Sequence, residues 1–272
     1  QEFADNALTL DEITAIPISA LKGDNIVDSS PNTPWYDGLS VIEYLESVPV
    51  SSTSQSRSFR MPVQWVNRPN REFRGFTGMI ASGMIEKGQN VRVLPSGRKS
   101  KIKGIITQDG DLDLAGAGRS ITLTLDDEID ISRGDINSAS SNPCSLGDQF
   151  QSHILWMDDS SMTPGREYLF KANTQTTSMT LGRLKYKIDV NTLEHTPATV
   201  LEMNEIGVCN ISLARRIAFD PYKDDPVMGG FIIIDRISNN TVGMGFIDFA
   251  LRRSDNIHWQ SMDTTKESRA KQ

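Results

Sequence analysis

The chain has 272 residues, of which 38% are hydrophobic and 23% charged, proportions typical of an ordered protein. Its net charge of −7 and pI of about 5.1 disfavour nucleic acid as the main partner, because phosphate backbones attract basic surfaces. No apolar run approaches the ~18 residues of a membrane span, and no signal peptide is visible. The two cysteines, Cys144 and Cys209, have no CxxC spacing. We therefore expect a cytoplasmic protein, not bound to membranes, with neither a disulfide framework nor a metal site.

The first 50 residues have the pattern of the end of an α/β domain. Residues 1–14 form a charged lead-in, and the apolar run Thr14–Ser19 predicts a buried strand. A connection rich in Ser, Pro, Asn and Gly follows over residues 28–38. Leu39–Val48 then places its apolar residues on one side of a helix. We assign residues 1–50 to the C-terminal piece of a nucleotide-binding α/β domain.

After a polar linker over residues 51–58, the pattern changes from helical to alternating. The segment from Ser120 to Asp126 alternates strictly between polar and apolar residues, which indicates a strand with one buried face. We predict further strands at Met61–Val66, Val91–Leu94, Lys101–Ile106 and Ile129–Ile131. Many short strands at close spacing predict an antiparallel β-barrel over residues 58–141.

A second break at residues 142–147 precedes another series of strands. We predict them at Gln149–Met157, Glu167–Ala172, Thr177–Ile188, Ala198–Met203, Val208–Leu213, Gly230–Asp235 and Thr241–Phe249. Their number and spacing predict a second barrel over residues 148–254. Residues 255–272 are polar and charged, and we expect a tail there. The fold class is therefore mainly β, with two consecutive antiparallel barrels after the α/β piece.

The tripeptide Ser19-Ala20-Leu21 is the first candidate functional motif. It follows the predicted strand and opens a loop, and in nucleotide-binding α/β domains such loops carry the ligand. Backbone N–H groups there can donate to a carbonyl oxygen such as that of guanine. The tripeptide is common, however, and by itself is also compatible with an ordinary loop.

The other motifs of a GTPase site are missing from these residues. The sequence contains no Gx4GK[ST] phosphate cradle and no NKxD loop. Asp113-Leu114-Ala115-Gly116 fits the DxxG pattern, but it lies in a β region, where a turn between strands is the better interpretation. The chain by itself is therefore not expected to bind or hydrolyse GTP.

No other pattern indicates catalytic chemistry, so we assign no catalytic residue. Arg133-Gly134-Asp135 is best interpreted as a hairpin turn, and no GxSxG elbow is present. The histidines His153, His195 and His258 are scattered, without ligand spacing. A basic group, Arg68, Arg71 and Arg74, lies near Trp65 and Phe73. This group could face an anionic partner or could be a solvated barrel edge.

Longer strings of residues are more discriminating. They are Pro17–Asn25, Pro34–Gly38, Val66–Asn70, Phe73–Gly75, Glu128–Asp135, Asp148–Phe150, Ala218–Tyr222, Gly229–Arg236 and Asn256–Gln260. Taken in order, they resemble the C-terminal portion of the large, GTPase subunit of bacterial sulfate adenylyltransferase. Nearly the whole chain takes part in this resemblance. That family belongs to the translation-factor-like GTPases, in which a GTPase domain precedes two β-barrels resembling domains II and III of elongation factor Tu.

The resemblance implies a function for the complete protein. The large subunit couples GTP hydrolysis to the synthesis of adenosine 5′-phosphosulfate and pyrophosphate from ATP and sulfate. Its partner is a smaller catalytic subunit, and some relatives carry a fused adenylylsulfate kinase. By position, Ser19, Ala20 and Leu21 correspond to the guanine-binding loop. GTP and Mg²⁺ are the implied cofactors of the complete protein, and the adenylyl-transfer residues belong to the other subunit.

Two alternatives share parts of this pattern. A translation elongation factor would have the same three-domain plan, although the Trp35-Tyr36 pair and the low pI argue against it. The second alternative is a non-enzymatic β-barrel interaction module.

Overall fold

Strands dominate the computed structural model, which describes residues 14–48 and 54–251. The helices are α1 (Val41–Ser47) and α2 (Pro226–Gly229). The first strands are β1 (Arg60–Pro62), β2 (Trp65–Asn67), β3 (Gly75–Met79), β4 (Met84–Glu86), β5 (Asn90–Leu94), β6 (Lys99–Thr107), β7 (Gly110–Leu112), β8 (Leu114–Gly116), β9 (Ser120–Leu125) and β10 (Ile136–Ala139). The others are β11 (Ser145–Trp156), β12 (Glu167–Ala172), β13 (Gln175–Ile188), β14 (His195–Thr196), β15 (Ile206–Phe219), β16 (Gly230–Ile234) and β17 (Thr241–Ala250).

The chain divides after Thr53 into two units. In the first, the predicted helix over Leu39–Val48 is confirmed as α1, which begins with a capping box between Ser40 and Glu43. The predicted strand at Thr14–Ser19 is wrong: the described residues contain only an isolated bridge from Ser19 to Asp24. In the part of the chain that the structure describes, no strand lies beside this run to pair with it. Apolar composition is not enough to form a strand without such a partner.

The first barrel of the second unit closes through one kinked segment, residues 60–67. Its first half, β1, pairs with β10, and its second half, β2, pairs with β3. The remaining pairs, β10–β5, β5–β6, β6–β9 and β9–β3, complete an antiparallel ring. Because successive side chains of a strand point to opposite faces, Ile121 and Leu123 of β9 both point into the interior.

One predicted strand of this barrel is wrong. Residues Ile129–Ile131 form no strand, yet Ile129 and Ile131 are buried against Val63, Phe76 and Val93. These side chains pack in the core although their backbone pairs with no strand. Hydrophobic residues indicate burial, but backbone pairing also requires the free edge of a neighbouring strand.

The second barrel is a closed ring of six strands in the order β12, β16, β17, β11, β15 and β13, with β13 pairing back to β12. Its interior contains the largest core cluster, including Trp156 and Tyr168. The predicted strand Ala198–Met203 is wrong, because this segment is a turn region whose Leu201 is buried in that core.

The mainly β fold with two consecutive antiparallel barrels is therefore confirmed. We propose 58–141 and 148–254 as the boundaries of the barrels. Residues 1–13 of the predicted lead-in 1–14, part of the linker 51–58 and the tail 255–272 lie outside the described residues. Among the residues described, no helix has the length and apolar character to cross a membrane.

Arg60 joins the two barrels. Its guanidinium, only 4% exposed, donates through Nε and Nη2 to both carboxylate oxygens of Asp220, at 2.6 and 3.2 Å. Nη1 donates to the carbonyl oxygens of Phe59 and Asn142 and to the hydroxyl of Ser138. Every nitrogen of the buried cation is thus paired, which is the condition for placing an arginine at such a depth.

Apolar contacts lie beside this ion pair. Leu94 and Ile136 from the first barrel share a buried cluster with Ala218 and Met228 from the second. Within the second barrel, the amide of Gln175 donates to the carbonyl oxygen of Ala218 and accepts from its N–H, at 2.9 and 3.1 Å, and so holds Ala218 in place. The two barrels therefore meet through the ion pair and the apolar cluster beside it.

We expect Asp220→Ala to lower the free energy of unfolding of the barrels by about 3 to 5 kcal/mol, because it leaves the Arg60 cation buried without its counter-ion. Urea titration followed by far-UV circular dichroism measures the loss. Asp130→Ala is the matched control: it removes another Asp–Arg pair, with Arg74, but Asp130 is exposed and little should change. Equal effects of the two substitutions would contradict the role of Arg60.

Candidate functional site

The three residues predicted to contact guanine lie together in one tight turn. The N–H of Gly23 donates to the carbonyl oxygen of Ser19 at 2.8 Å, which folds the turn over Ala20 and Leu21. Gly23 has a φ of +79°, a left-handed conformation that glycine adopts without a steric penalty. Leu21 is 97% exposed, so its side chain covers nothing within the described residues.

The backbone N–H groups of Ala20 and Leu21 make no hydrogen bond within the described part of the chain. The N–H of Lys22, in contrast, contacts the hydroxyl of Ser19 at 3.4 Å. Two adjacent donors are therefore available at the apex of the turn. Such donors are compatible with a carbonyl acceptor, and the contact of Ser19, Ala20 and Leu21 with guanine stays a prediction.

Asn25 holds the turn in place. Its side chain is buried, and its amide nitrogen donates to the carbonyl oxygen of Pro17 at 2.7 Å and to the hydroxyl of Thr33 at 2.9 Å. Its amide oxygen accepts from the N–H of Ser30 at 2.7 Å. The backbone carbonyl of Asn25 also accepts from the N–H of Val41 at the start of α1. One side chain thus ties both ends of the loop together.

Asp24 adds a second, exposed link. Its carboxylate accepts from the hydroxyl of Ser30 at 2.6 Å and from the amide of Asn32 at 2.8 Å. These hydrogen bonds hold the pKa of Asp24 below its ordinary value. The roles of Asp24 and Asn25 were not predicted from the sequence. The turn-forming run Gly23-Asp24-Asn25 was the signal that could have indicated them.

The other motifs have structural roles. In the DxxG segment the predicted turn is wrong for three of the four residues: only Asp113 lies between strands, and Leu114–Gly116 form β8, which pairs with β4. Arg133-Gly134-Asp135 forms a turn before β10, in which the Asp135 carboxylate accepts from the N–H of Ser132. Burial raises the pKa of Asp135. Neither segment lies beside a cluster of three potential metal ligands, and the described residues contain no such cluster.

The histidines and cysteines also lack a catalytic arrangement. His153 contacts Asp248 through Nδ1 at 2.7 Å, and His195 stacks on Tyr186, whereas His258 lies outside the described residues. Both thiols are buried, and this burial raises the pKa of Cys144 to about 11 and that of Cys209 to about 12. Neither sulfur is thus a ready nucleophile at neutral pH.

The basic group noted in the sequence lines a charged cleft of about 430 Å³ on the first barrel. Arg68, Arg71 and Phe73 face it, together with the acidic run Asp126–Glu128. Arg74 pairs with Asp130 at 3.0 Å. Because the lining carries both signs of charge, the cleft has no net preference for an anion. The sequence indicated the basic residues but could not show the acidic wall opposite them.

Comparisons with known proteins support the fold and the resemblance. Residues 149–248, within the second barrel, match the family described as GTP-eEF1A C-terminal domain-like. The crystal structure of Sup35 complexed with GDP superposes with a TM-score of 0.68, at 22% identity, over 87% of this chain and 58% of that one. This likeness concerns the fold of the backbone.

Sequence similarity reaches further along the chain. The sulfate adenylyltransferase subunit 1 of Alteromonas mediterranea is 42% identical over 97% of this chain. The bifunctional enzyme CysN/CysC of Rhodopirellula baltica is 47% identical over 96%, and the bifunctional enzyme NodQ of Rhizobium meliloti is 46% identical over 95%. The chain spans 60% of the first relative's length and 40% of the length of each of the other two.

We expect Asn25→Gly to release the loop, because it removes all three side-chain hydrogen bonds while glycine tolerates the φ of +54° at this position. The free energy of local opening at the N–H of Ser30 should fall by about 1 to 3 kcal/mol. Native-state hydrogen exchange measures it. Asn32→Ala, which removes only the exposed contact with Asp24, is the control, and unchanged protection of Ser30 in Asn25→Gly would contradict the assignment.

The similarity to these relatives extends over nearly the whole chain and includes the loop that contains Ser19, Ala20 and Leu21. The chain is therefore homologous to part of sulfate adenylyltransferase subunit 1 and of the CysN/CysC enzymes, and residues 149–248 of its second barrel match the GTP-eEF1A C-terminal domain-like family.

Proposed function

We propose that the protein is the GTPase subunit of a sulfate adenylyltransferase. The observation that carries the proposal is identity of 42% over 97% of the chain to a sulfate adenylyltransferase subunit 1. The reaction joins sulfate to the adenylyl group of ATP and releases pyrophosphate. The phosphosulfate anhydride is high in energy, so the reaction is unfavourable by itself, and GTP hydrolysis in this subunit drives it forward.

Ser19, Ala20 and Leu21 are proposed to contact the guanine base of GTP. Two observations support this role: the N–H groups of Ala20 and Leu21 are unpaired within the described residues, and Asn25 fixes the turn that presents them. The phosphate cradle and NKxD loop are absent from the sequence, so we propose that GTP binding requires further protein residues. We propose that Mg²⁺ binding also requires further protein residues, since the described residues contain no cluster of ligands for it.

The proposed partner is a smaller catalytic subunit that carries the adenylyl-transfer residues. The name subunit 1 among the relatives implies a second subunit, and the CysN/CysC relatives suggest association with an adenylylsulfate kinase. We propose a cytoplasmic location, as for an enzyme of sulfate assimilation. The barrels then serve as scaffold and partner surface, because the described residues contain no catalytic cluster.

The proposal is tested on the natural full-length protein, tagged and purified from its own host. We expect it to co-purify with a small nucleotidyltransferase, and we expect GTP to raise the yield of adenosine 5′-phosphosulfate from ATP and sulfate, measured by release of pyrophosphate. GDP in place of GTP is the control. Co-purification with tRNA and no phosphosulfate synthesis would instead indicate the translation-factor alternative.

A second experiment addresses the loop. Leu21→Pro removes one of the two unpaired N–H donors, and we expect GTP to bind about 3- to 10-fold more weakly to the full-length protein, the effect of one lost hydrogen bond. Fluorescent GTP analogues measure the affinity. Lys22→Ala, which keeps every backbone donor, is the control. Equal affinities for the Leu21→Pro variant and the unmodified protein would exclude the N–H of Leu21 as a guanine contact.

A further inference from the structure

Residues 54–58 lie against the junction of the two barrels, and we call this segment the strap. The sequence predicted only a polar linker over residues 51–58, yet the strap is held by specific contacts. The carbonyl oxygen of Ser58 accepts from the hydroxyl of Ser82 at 3.0 Å, and the hydroxyl of Ser58 accepts from the amide of Asn142 at 2.7 Å. The strap is therefore tied to the first barrel and to the connection that follows it.

Gly83 shows how closely the backbone of the strap packs on the first barrel. Its N–H donates to the carbonyl oxygen of Ser54 at 2.7 Å. A Cβ atom at Gly83 would lie 2.4 Å from the nitrogen of Phe59 and 2.6 Å from the carbonyl carbon of Ser58, which is too close for any side chain. Directly after the strap, Phe59 is buried in the core of the first barrel. The strap thus has a fitted seat on that barrel.

Arg57 links the strap to the second barrel. Its Nη1 lies 4.0 Å from Oδ1 of Asp225, and the Asp225 side chain is only 5% exposed. Oδ1 also accepts from the N–H groups of Val227 and Met228 in α2, whereas Oδ2 has no hydrogen-bond partner within the described residues. A buried carboxylate that is only partly hydrogen-bonded is costly, so a cation close by stabilises it. Arg57 therefore joins the strap to a carboxylate that needs it.

The strap also lies beside the ion pair that joins the barrels. Residues 56–58 of the strap line one cleft of about 550 Å³ together with Arg60 and Asp220. Asn142 contacts both sides of this arrangement, because its amide donates to Ser58 and its carbonyl oxygen accepts from Arg60. The strap therefore shares its surroundings with the groups that hold the two barrels together.

The junction has an apolar cluster of its own, separate from the cores of the two barrels. Its members are Ala81, Leu94, Ile136, Cys144, Ala218 and Met228. The side chains that fold each barrel are thus not the ones that hold the barrels together. Because this cluster is small, the junction can open locally while both cores stay intact.

We propose that the strap holds the junction between the two barrels closed. In its seat it keeps water from the pair of Arg60 and Asp220. When it leaves its seat, water reaches the pair, the higher dielectric weakens the attraction, and the junction opens while both barrels stay folded. The contacts of the strap suit such a release, because the bonds of Arg57 and Ser58 are polar and Gln55 and Ser56 are exposed.

The test is the rate at which a maleimide labels Cys144 in the purified full-length protein, followed by peptide mass spectrometry. Cys144 is buried in the junction cluster and Cys209 in the core of the second barrel, so the first reports opening of the junction and the second unfolding of the barrel. We expect Arg57→Ala to raise the labelling rate of Cys144 at least about fivefold and to leave Cys209 unchanged. Asn142→Ala frees Ser58 but keeps the carbonyl oxygen that Arg60 uses, and it should raise the Cys144 rate about two- to tenfold.

Asp225→Asn tests the same contact from the other barrel. It removes the charge but keeps a side-chain oxygen to accept from the N–H groups of α2. It should raise labelling of Cys144 as Arg57→Ala does, and the double variant should do no more than either alone, because both substitutions remove one contact. Rates that multiply in the double variant would show that Arg57 and Asp225 act separately and would overturn their pairing as part of the strap.

Arg74→Ala is the matched control. Arg74 is 29% exposed, against 30% for Arg57, and it also pairs with an aspartate, but it lines the charged cleft of the first barrel. Labelling of Cys144 should not change in this variant, and a rise equal to that in Arg57→Ala would contradict the proposal. Unchanged labelling of Cys144 in both Arg57→Ala and Asn142→Ala would overturn it. Equal rises at Cys144 and Cys209 would overturn it too, since the strap would then stabilise the whole barrel instead of the junction.

Discussion

The buried guanidinium of Arg60 is the constraint on which the arrangement of the two barrels depends. It makes five hydrogen bonds, two of them to Asp220 of the second barrel and three to groups of the first barrel and the connection that follows it. A buried cation must keep its partners, so the barrels cannot separate at this point without leaving a charge unpaired. The apolar cluster around Ile136 and Ala218 fills the space beside it. The ion pair fixes the geometry of the junction between the barrels, and the apolar side chains beside it keep that junction buried.

The core of the second barrel does not depend on the outer surface of the barrel. Its interior is closed by six strands and filled by aromatic residues such as Trp156 and Phe170, which gives it a core independent of any partner. The outward residues therefore take no part in that core. This separation suits the scaffold role that we propose for the barrel.

The loop at residues 19–25 is held by side-chain hydrogen bonds. No strand supports it within the described residues, and its shape comes from the side chain of Asn25 and the exposed carboxylate of Asp24. Such a loop is fixed by a few polar contacts, so it can present the N–H groups of Ala20 and Leu21 without burying them. The guanine contact that we propose for this turn requires both properties, a defined shape and unsatisfied donors.

The sequence by itself determined the class of the fold, because strict alternation in segments such as β9 allows only a half-buried strand and because turn residues separate the strands at barrel spacing. Long residue strings also determined the family resemblance. The apolar runs at Ile129–Ile131 and Ala198–Met203 were predicted as strands. The tertiary structure buries Ile129, Ile131 and Leu201 without backbone pairing, since pairing depends on whether a neighbouring edge is free. The roles of Arg60 and Asn25 were likewise beyond the sequence. Each depends on residues distant in the chain, and only the folded backbone determines which of them meet.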